Sequence, residues 1–434
     1  MTFGLGLTKI IPFLIYLSGI FVALLSIFSN PRIGVYFLFP LLPYQNIFAR
    51  IATFPMGKDL NDILFLSILI GWCIHRKRSP HHNALRNFKP YNTQINLSVS
   101  LLVISSLIGF IISSAKSGLL FDLSNIYFIQ WKNYMMLPLC WFLTSRTLNS
   151  KKEFKVLLSI VIVGFIAAVF YFYRDLQFMD LSHFSYTVRS KMTGLFVYLG
   201  PNHYAAFFTH FLFILIGLAL FARSVFVKII FYVVILVTGY CILFTFSRGA
   251  YAALVLGLFF VGVIKDKRIL IFLVVIFLAW NVLLPESVIE RITMTQNEEG
   301  ELENSAAIRV ELWEIALGMF KSSPVFGNGF NSFSGKGFHD AHNFYMKMLA
   351  ELGLMGLFPF LFLLQQSFVQ GWRLYRKAKD WMLKGLGLGF SACVLALAVT
   401  NMFGDRWSYV SMGSYFWVFL GIITRANIIE NTEK

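Results

Sequence analysis

Residues 203–222 read HYAAFFTHFLFILIGLALFA, a stretch without Asp, Glu, Lys or Arg. At about 1.5 Å of rise per residue, a helix of this length spans roughly 30 Å, the thickness of a bilayer's hydrocarbon core. Comparable apolar runs lie on both sides of it. They fall near residues 10–28, 33–48, 61–75, 96–115, 124–145, 154–173, 227–246, 248–264, 269–284, 343–370, 385–403 and 408–425. The spacing predicts an all-α, polytopic membrane protein with a single integral membrane domain over residues 1–434.

Composition agrees with that reading. The chain is 57% hydrophobic and 13% charged, with a mean hydropathy of +0.70, and an ordinary soluble domain carries about a quarter charged residues. The formal net charge of +16 does not read as a nucleic-acid footprint, because the basic residues sit in short loops between apolar runs. There they orient the chain and face anionic lipid. Cys73, Cys140, Cys241 and Cys393 all lie in apolar stretches without paired spacing, so they read as packing residues. The first run is longer than a signal-peptide core and lacks a small-residue cleavage site before Asn30-Pro31-Arg32, which predicts that it is retained.

Five interruptions hold most of the basic residues: Arg76 to Lys89, Arg146 to Lys155, Arg223 to Lys228, Lys265 to Arg268 and Arg373 to Lys384. They alternate with the spans, which puts them on the cytoplasmic side by the positive-inside rule. Two longer polar segments then face outward, Asp175 to Asn202 and Pro285 to His342. The second falls between the tenth and eleventh apolar stretches, is far longer than a plain connector, and reads as functional. Its acidic start, Thr295 to Ser305, reads as mobile. Pro31, Pro40 and Pro43 interrupt residues 33–48. A re-entrant or broken segment there leaves about twelve crossings with both chain ends inside.

Ionisable groups at the outer ends of spans are the candidates for chemistry. Arg248, in Ser247-Arg248-Gly249, sits where the chain turns back between two runs, with Gly249 read as permitting the bend. It either grips a phosphate or snorkels to headgroups as an anchor. Arg309 and Trp313 are one turn apart on a helical face, either part of a site or members of an interfacial amphipathic helix. Gly327-Asn328-Gly329 is a helix stop and glycine turn, lacking the strand and acidic residue of a dinucleotide site. His342-Asn343 opens the next span, where the helix dipole favours a neutral imidazole suited to a general base; the bland alternative is a capping segment. His339, Asp340 and His342 also have metal-ligand spacing, but no second ligand cluster accompanies them and no metal is assigned.

In order, Phe246-Ser247-Arg248-Gly249, Arg309 with Trp313, Gly327-Asn328-Gly329-Phe330, His342-Asn343-Phe344-Tyr345 and Leu349-Ala350-Glu351-Leu352-Gly353-Leu354-Met355-Gly356-Leu357 resemble the O-antigen ligase and polymerase superfamily of bacterial membrane enzymes. The resemblance covers about residues 190–360, including Gly194 and Pro201-Asn202; the N-terminal third matches only as generic membrane helices. It implies a fold like the multi-spanning, lipid-dependent (GT-C) glycosyltransferases, placed in the bacterial inner membrane. Residues 285–342 would form a large periplasmic loop carrying part of the active site. It also implies an undecaprenyl-diphosphate-linked glycan donor and, as acceptor, a lipid A core or a growing polysaccharide. Carried over by position, Arg248 and Arg309 are expected to engage the donor diphosphate and His342 to be the essential histidine. The reaction would be metal-independent and inverting, without a cofactor. Arg189, Lys191, His203, His339, Tyr345 and Arg406 are further candidates for substrate contact, and Arg406 with Asp405 reads equally as a surface ion pair. A repeat-unit polymerase and a glycolipid flippase or exporter are the competing functions. The flippase predicts cations lining a cavity at mid-membrane depth.

Overall fold

The computed structural model describes residues 3–75, 93–119, 122, 124–192, 194–196, 199–294, 304–335 and 340–432. Among these residues all regular structure is helical. Eight helices are long and apolar enough to cross a membrane: Ile10–Phe28, Thr93–Lys116, Lys151–Leu176, Pro201–Phe221, Val225–Leu243, Phe344–Lys377, Trp381–Phe403 and Val410–Asn431. A ninth candidate is the pair Arg268–Leu283 and Glu286–Thr293, bent by 104°. Arg248–Ile264 is shorter, and Ile126–Thr147 is diluted by Gln130, Lys132 and Asn133. The sequence count of about twelve therefore includes helices that fail a strict test of length and apolarity yet lie in the same bundle.

The basic loops gather at one end of the bundle. Lys151 pairs with Glu430 at 2.9 Å, Lys155 with Asp380 at 2.6 Å, and Lys377 Nζ donates to Asn431 at 2.9 Å. Lys265 and Lys384 both lie over the ring of Phe221, 4.6 and 5.7 Å from its centroid. Four of the five basic interruptions thus share a face, as their alternation predicts. The fifth, Arg76 to Lys89, lies outside the described residues.

The N-terminal part corrects one expectation. Leu60–His75 runs parallel to Phe3–Phe28, with Gly19 against Leu60, Gly71 against Ser26, and His75 Nε2 3.0 Å from Ile27 O. Pro31–Leu41 starts at the basic end, where Arg32 pairs with Glu153. After a break the chain reaches the far end at Asn46, whose N–H donates to Leu195 O at 3.1 Å. The prolines break the segment as expected, but its pieces together complete a return. Residues 3–75 make three passes through the bundle rather than two, so Phe3–Phe28 starts at the end opposite the basic one.

Pro201–Phe221 is the central helix, apolar around its whole circumference and buried on nearly every side, as such a helix must be. Apolar burial gives little net driving force between helices in lipid, so close packing holds them. Gly217 illustrates this: a Cβ there would lie 2.2 Å from Gly385 O and 2.8 Å from Gly389 N, so only glycine lets these two helices meet. Phe165, Phe207, Phe211 and Tyr415 fill the adjoining layer with ring centroids 5.0 to 6.1 Å apart.

At the end opposite the basic loops, Phe344–Lys377 is broken at Gly353 (φ 61°, ψ −155°). This break frees backbone groups that the segment after Ser322 satisfies. Asn328 and Gly329 donate to Ala350 O and Glu351 O (3.0 and 2.8 Å), while Leu354 and Met355 donate to Pro324 O and Val325 O (2.9 and 3.0 Å). A Cβ on Gly327 would lie 2.3 Å from the Glu351 carbonyl. The glycine turn is therefore a clasp on a broken helix. Ser113 Oγ and Lys116 Nζ fasten it to Thr93–Lys116 through Phe330 O and Asn328 O (2.7 and 3.0 Å).

Candidate active site

Each helix that carries a candidate residue presents one terminus at the same end. Arg248 opens Arg248–Ile264, Asn202 lies in the first turn of Pro201–Phe221, His342 precedes Phe344–Lys377, and Thr400 closes Trp381–Thr400. Above them run Glu286–Thr293 and Asn304–Ser322, two helices of the long polar segment. Residues 295–303, most of the stretch expected to be mobile, lie outside the described residues.

These elements enclose a cavity of about 440 Å³ lined by Arg189, Arg248, Arg291, Arg309, Arg406 and His342, with Tyr186, Asn202, Phe246, Ser247, Ile308, Thr400 and Phe403 among its other walls. No described Asp or Glu lines it. Five guanidinium groups face one space whose described lining holds no carboxylate, and so concentrated a positive charge suits an anion.

Backbone carbonyls and aromatic faces aim the arginines. Arg248 Nη1 donates to Met294 O at 2.8 Å. The bend before it is made at Phe246 (φ 55°), a left-handed residue, and not at Gly249. Gly249 is helical and instead admits the Phe403 ring, 2.7 Å from where a Cβ would lie. Arg189 donates through Nε to Thr245 O (3.0 Å) and through Nη2 to Asn202 Oδ1 (2.6 Å). Burial and the nearby Arg291 push it down to about 10, which leaves it charged at neutral pH. Arg406, 4% exposed, donates to Asp405 O and Phe403 O at 3.3 Å each. The carboxylate of Asp405 is turned to Lys347 Nζ at 2.9 Å, so Arg406 and Asp405 are not the surface ion pair their adjacency offered.

Arg291 is the guanidinium that reading the sequence missed. It is 5% exposed, donates to Tyr186 Oη at 3.0 Å and Phe246 O at 3.4 Å, and lies 4.8 Å from the Phe184 ring centroid. In sequence it is one Arg of an amphipathic turn, and no local pattern sets it apart. Asn202 and Thr400 were missed as lining residues for the same reason.

His342 has a left-handed backbone (φ 50°) held from two sides. Trp313 Nε1 donates to Ala341 O at 3.0 Å, and the His342 N–H donates to Asp340 Oδ1 at 3.0 Å. Asn343 caps the following helix by accepting from Tyr345 N–H (3.0 Å) and Met346 N–H (3.3 Å). Burial holds the imidazole below the usual histidine range; Asp340 opposes this, while Arg309 and Arg406 reinforce it. Non-glycine residues with positive φ are uncommon, and two of the four among the described residues, Phe246 and His342, line this cavity.

The other candidates are placed differently. Tyr345 does not line the cavity; its hydroxyl donates to Ala398 O at 2.7 Å and ties two helices together. Lys191 is exposed and outside the lining. His203 lies behind it with both ring nitrogens buried and edge-on to Tyr409, centroids 5.5 Å apart. His339 lies outside the described residues. Among the described residues, metal-type ligands cluster at His183, Glu286 and Glu290. There His183 Nδ1 lies 2.9 Å from Glu290 Oε1, and Phe184 N–H donates to Glu290 Oε2 at 2.7 Å, which makes Glu290 a tie between two outer segments.

Residues 231–361 match the family model described as O-antigen ligase. The matched segment contains Arg248, Arg291, Arg309 and His342, and the resemblance to the O-antigen ligase superfamily is borne out over it. Arg189, His203 and Arg406 come from outside. No curated protein matches the chain significantly.

Proposed function

We propose that this protein is a membrane glycosyltransferase of O-antigen ligase type, moving a glycan from undecaprenyl diphosphate to an acceptor hydroxyl at the outer face of the bacterial inner membrane. One observation carries the reading: Arg248, Arg309 and His342, spread over the chain, line one cavity whose other charged residues are Arg189, Arg291 and Arg406. A GT-C-like bundle of about twelve crossings, thirteen with the return of residues 31–51, and with residues 285–342 on the periplasmic side, fits the gathering of the basic loops at the opposite end.

In this reading the arginines hold the donor diphosphate. As the bond from sugar C1 to the phosphate oxygen breaks, the electron pair leaves with undecaprenyl diphosphate, and negative charge grows on its oxygens. Planar guanidinium forks fixed beforehand by carbonyls and rings stabilise that charge without having to reorganise. His342, neutral at pH 7, accepts the acceptor hydroxyl's proton as the oxygen attacks C1 from the face opposite the diphosphate, inverting that carbon. The side chains account for both roles without a metal or cofactor. The cations collect at one end of the bundle, which favours surface chemistry over a flippase with cations at mid-depth.

The test is to reconstitute the protein in lipid nanodiscs with a short undecaprenyl-diphosphate glycan and either a lipid A core or a second repeat unit, with and without chelator. Expected is release of undecaprenyl diphosphate coupled to product, lost in His342→Ala. Full turnover by His342→Ala would remove the general-base role. The acceptor that supports turnover distinguishes ligase from polymerase, and a need for divalent ion would overturn the metal-independent chemistry.

A further inference from the structure

The reading above leaves the second nitrogen of the imidazole unassigned. His342 Nδ1 lies 3.6 Å from Asp340 Oδ2, an ion-pair distance beyond hydrogen-bond range. The Asp340 side chain is only 15% exposed, and its two oxygens are set by backbone donors. Oδ1 accepts from His342 N–H at 3.0 Å and Oδ2 from Asp405 N–H at 3.4 Å. A carboxylate held in this way cannot swing off to solvent.

We propose that Asp340 is the positioning residue for His342, fixing the imidazole with its proton on Nδ1 and pairing with the imidazolium that forms during transfer. The proposal rests on the transferase reading. A carboxylate facing Nδ1 favours the tautomer that is protonated there, which leaves Nε2 unprotonated as the basic nitrogen. In the transfer step Nε2 gains the acceptor's proton, the acceptor oxygen bonds to C1, and the C1–oxygen bond to the diphosphate breaks. The ring then carries a full positive charge. Arg309 from the helix above, Arg406 from the turn after Trp381–Thr400, and His203 from the central helix all face this region, and both guanidinium groups oppose that charge. The Asp405 carboxylate is committed to Lys347 and to the N–H groups of Trp407 and Ser408 (2.9, 3.0 and 2.9 Å). Among the described residues, Asp340 is therefore the carboxylate placed to balance the ring's charge.

The experiment compares wild type, Asp340→Asn, Asp340→Glu and His342→Ala in nanodiscs, reading kcat and donor KM across pH together with thermal unfolding. Asparagine keeps the backbone acceptor and removes the charge. Asp340→Asn is expected to lose about 10–100-fold in kcat, with donor KM within about twofold and the acidic limb of the profile moved to lower pH. Asp340→Glu restores part of kcat and returns the limb to its wild-type position. Wild-type kcat and profile in Asp340→Asn, with His342→Ala inactive, would overturn the role of Asp340 alone; full activity of His342→Ala would overturn the transferase reading itself. Should Asp340→Asn fail to fold, the wild type decides instead: 15N shifts of the labelled histidine that is absent from His342→Ala support the proposal if the neutral ring carries its proton on Nδ1 and contradict it if the proton is on Nε2.

Discussion

Trp313 Nε1 donates to Ala341 O at 3.0 Å, which couples the helix carrying Arg309 to the backbone just before His342. The coupling spans the long polar segment from its middle to its end, so the general base and one phosphate ligand keep a fixed relation although they lie on different elements. Around it, Ala316, Met319, Phe333, Ala341 and Ala350 form a small core of their own. Trp313→Phe keeps the packing and removes the hydrogen bond. A neutral hydrogen bond contributes about 1 kcal/mol net, which corresponds to roughly fivefold in rate. The expected result is a kcat reduced several-fold with only a slightly lowered unfolding temperature, measured by initial rates and thermal unfolding in detergent.

Arg309 also sets the pH response. Its positive charge disfavours the imidazolium, so with Arg406 and burial it holds His342 below its usual range. The base is active when unprotonated, and turnover is lost as pH falls through that lowered value. Arg309→Gln removes one opposing charge, makes the imidazolium easier to form, and moves the acidic limb to higher pH. This is the reverse of the displacement expected for Asp340→Asn. Residual turnover of Arg309→Gln measured from pH 5 to 8 with the acidic limb unmoved would show that Arg309 does not face the imidazole.

How legible this was differed from element to element. The apolar runs and basic loops were plain because hydropathy and charge act locally. Arg248, Arg309 and His342 stood out because each sits at a helix end or on a helical face beside a marked neighbour. Arg291 did not, since its place depends on the 104° bend that folds Glu286–Thr293 over the bundle, and no local pattern encodes that angle. The return of residues 31–51 was misjudged because prolines announce a break but not the direction in which the chain leaves it. Asp340 lay two residues from His342, yet its carboxylate's orientation comes from the Asp405 N–H, 65 residues away in sequence.

Gly353 joins that clasp to stability. Its φ of 61° with ψ −155° lies in a region that is essentially glycine-only, and a Cβ there would sit 2.5 Å from Val325 O. Gly353→Ala should destabilise the protein by about 1–3 kcal/mol from backbone strain alone, more if the clasp opens. Lower unfolding temperature and loss of turnover are expected together, because the clasp supports the helix that begins after His342. Wild-type stability in this variant would mean that the break in Phe344–Lys377 carries no structural demand.

The cavity's arginines can be separated by what fixes them. Arg248 reaches the space from a helix start and is half exposed to it, whereas Arg291 is buried against Phe184 and Tyr186. Lysine keeps the charge of either but not the fork that donates two parallel hydrogen bonds. Arg248→Lys is therefore expected to lower kcat by about tenfold or more while leaving the fold intact, each tenfold being about 1.4 kcal/mol of transition-state stabilisation. Arg291→Lys should lose both donor affinity and unfolding temperature, since the ring contacts and the link to Phe246 O go with the guanidinium. Inorganic pyrophosphate supplies the common probe, because a ligand that binds only the folded state raises the unfolding temperature once its concentration exceeds its Kd, and raises it more the tighter it binds. Stabilisation of wild type by pyrophosphate, reduced in both variants and weakened by salt, follows from a cationic anion site. Equal stabilisation of all three proteins would place the anion elsewhere and detach these two arginines from the donor.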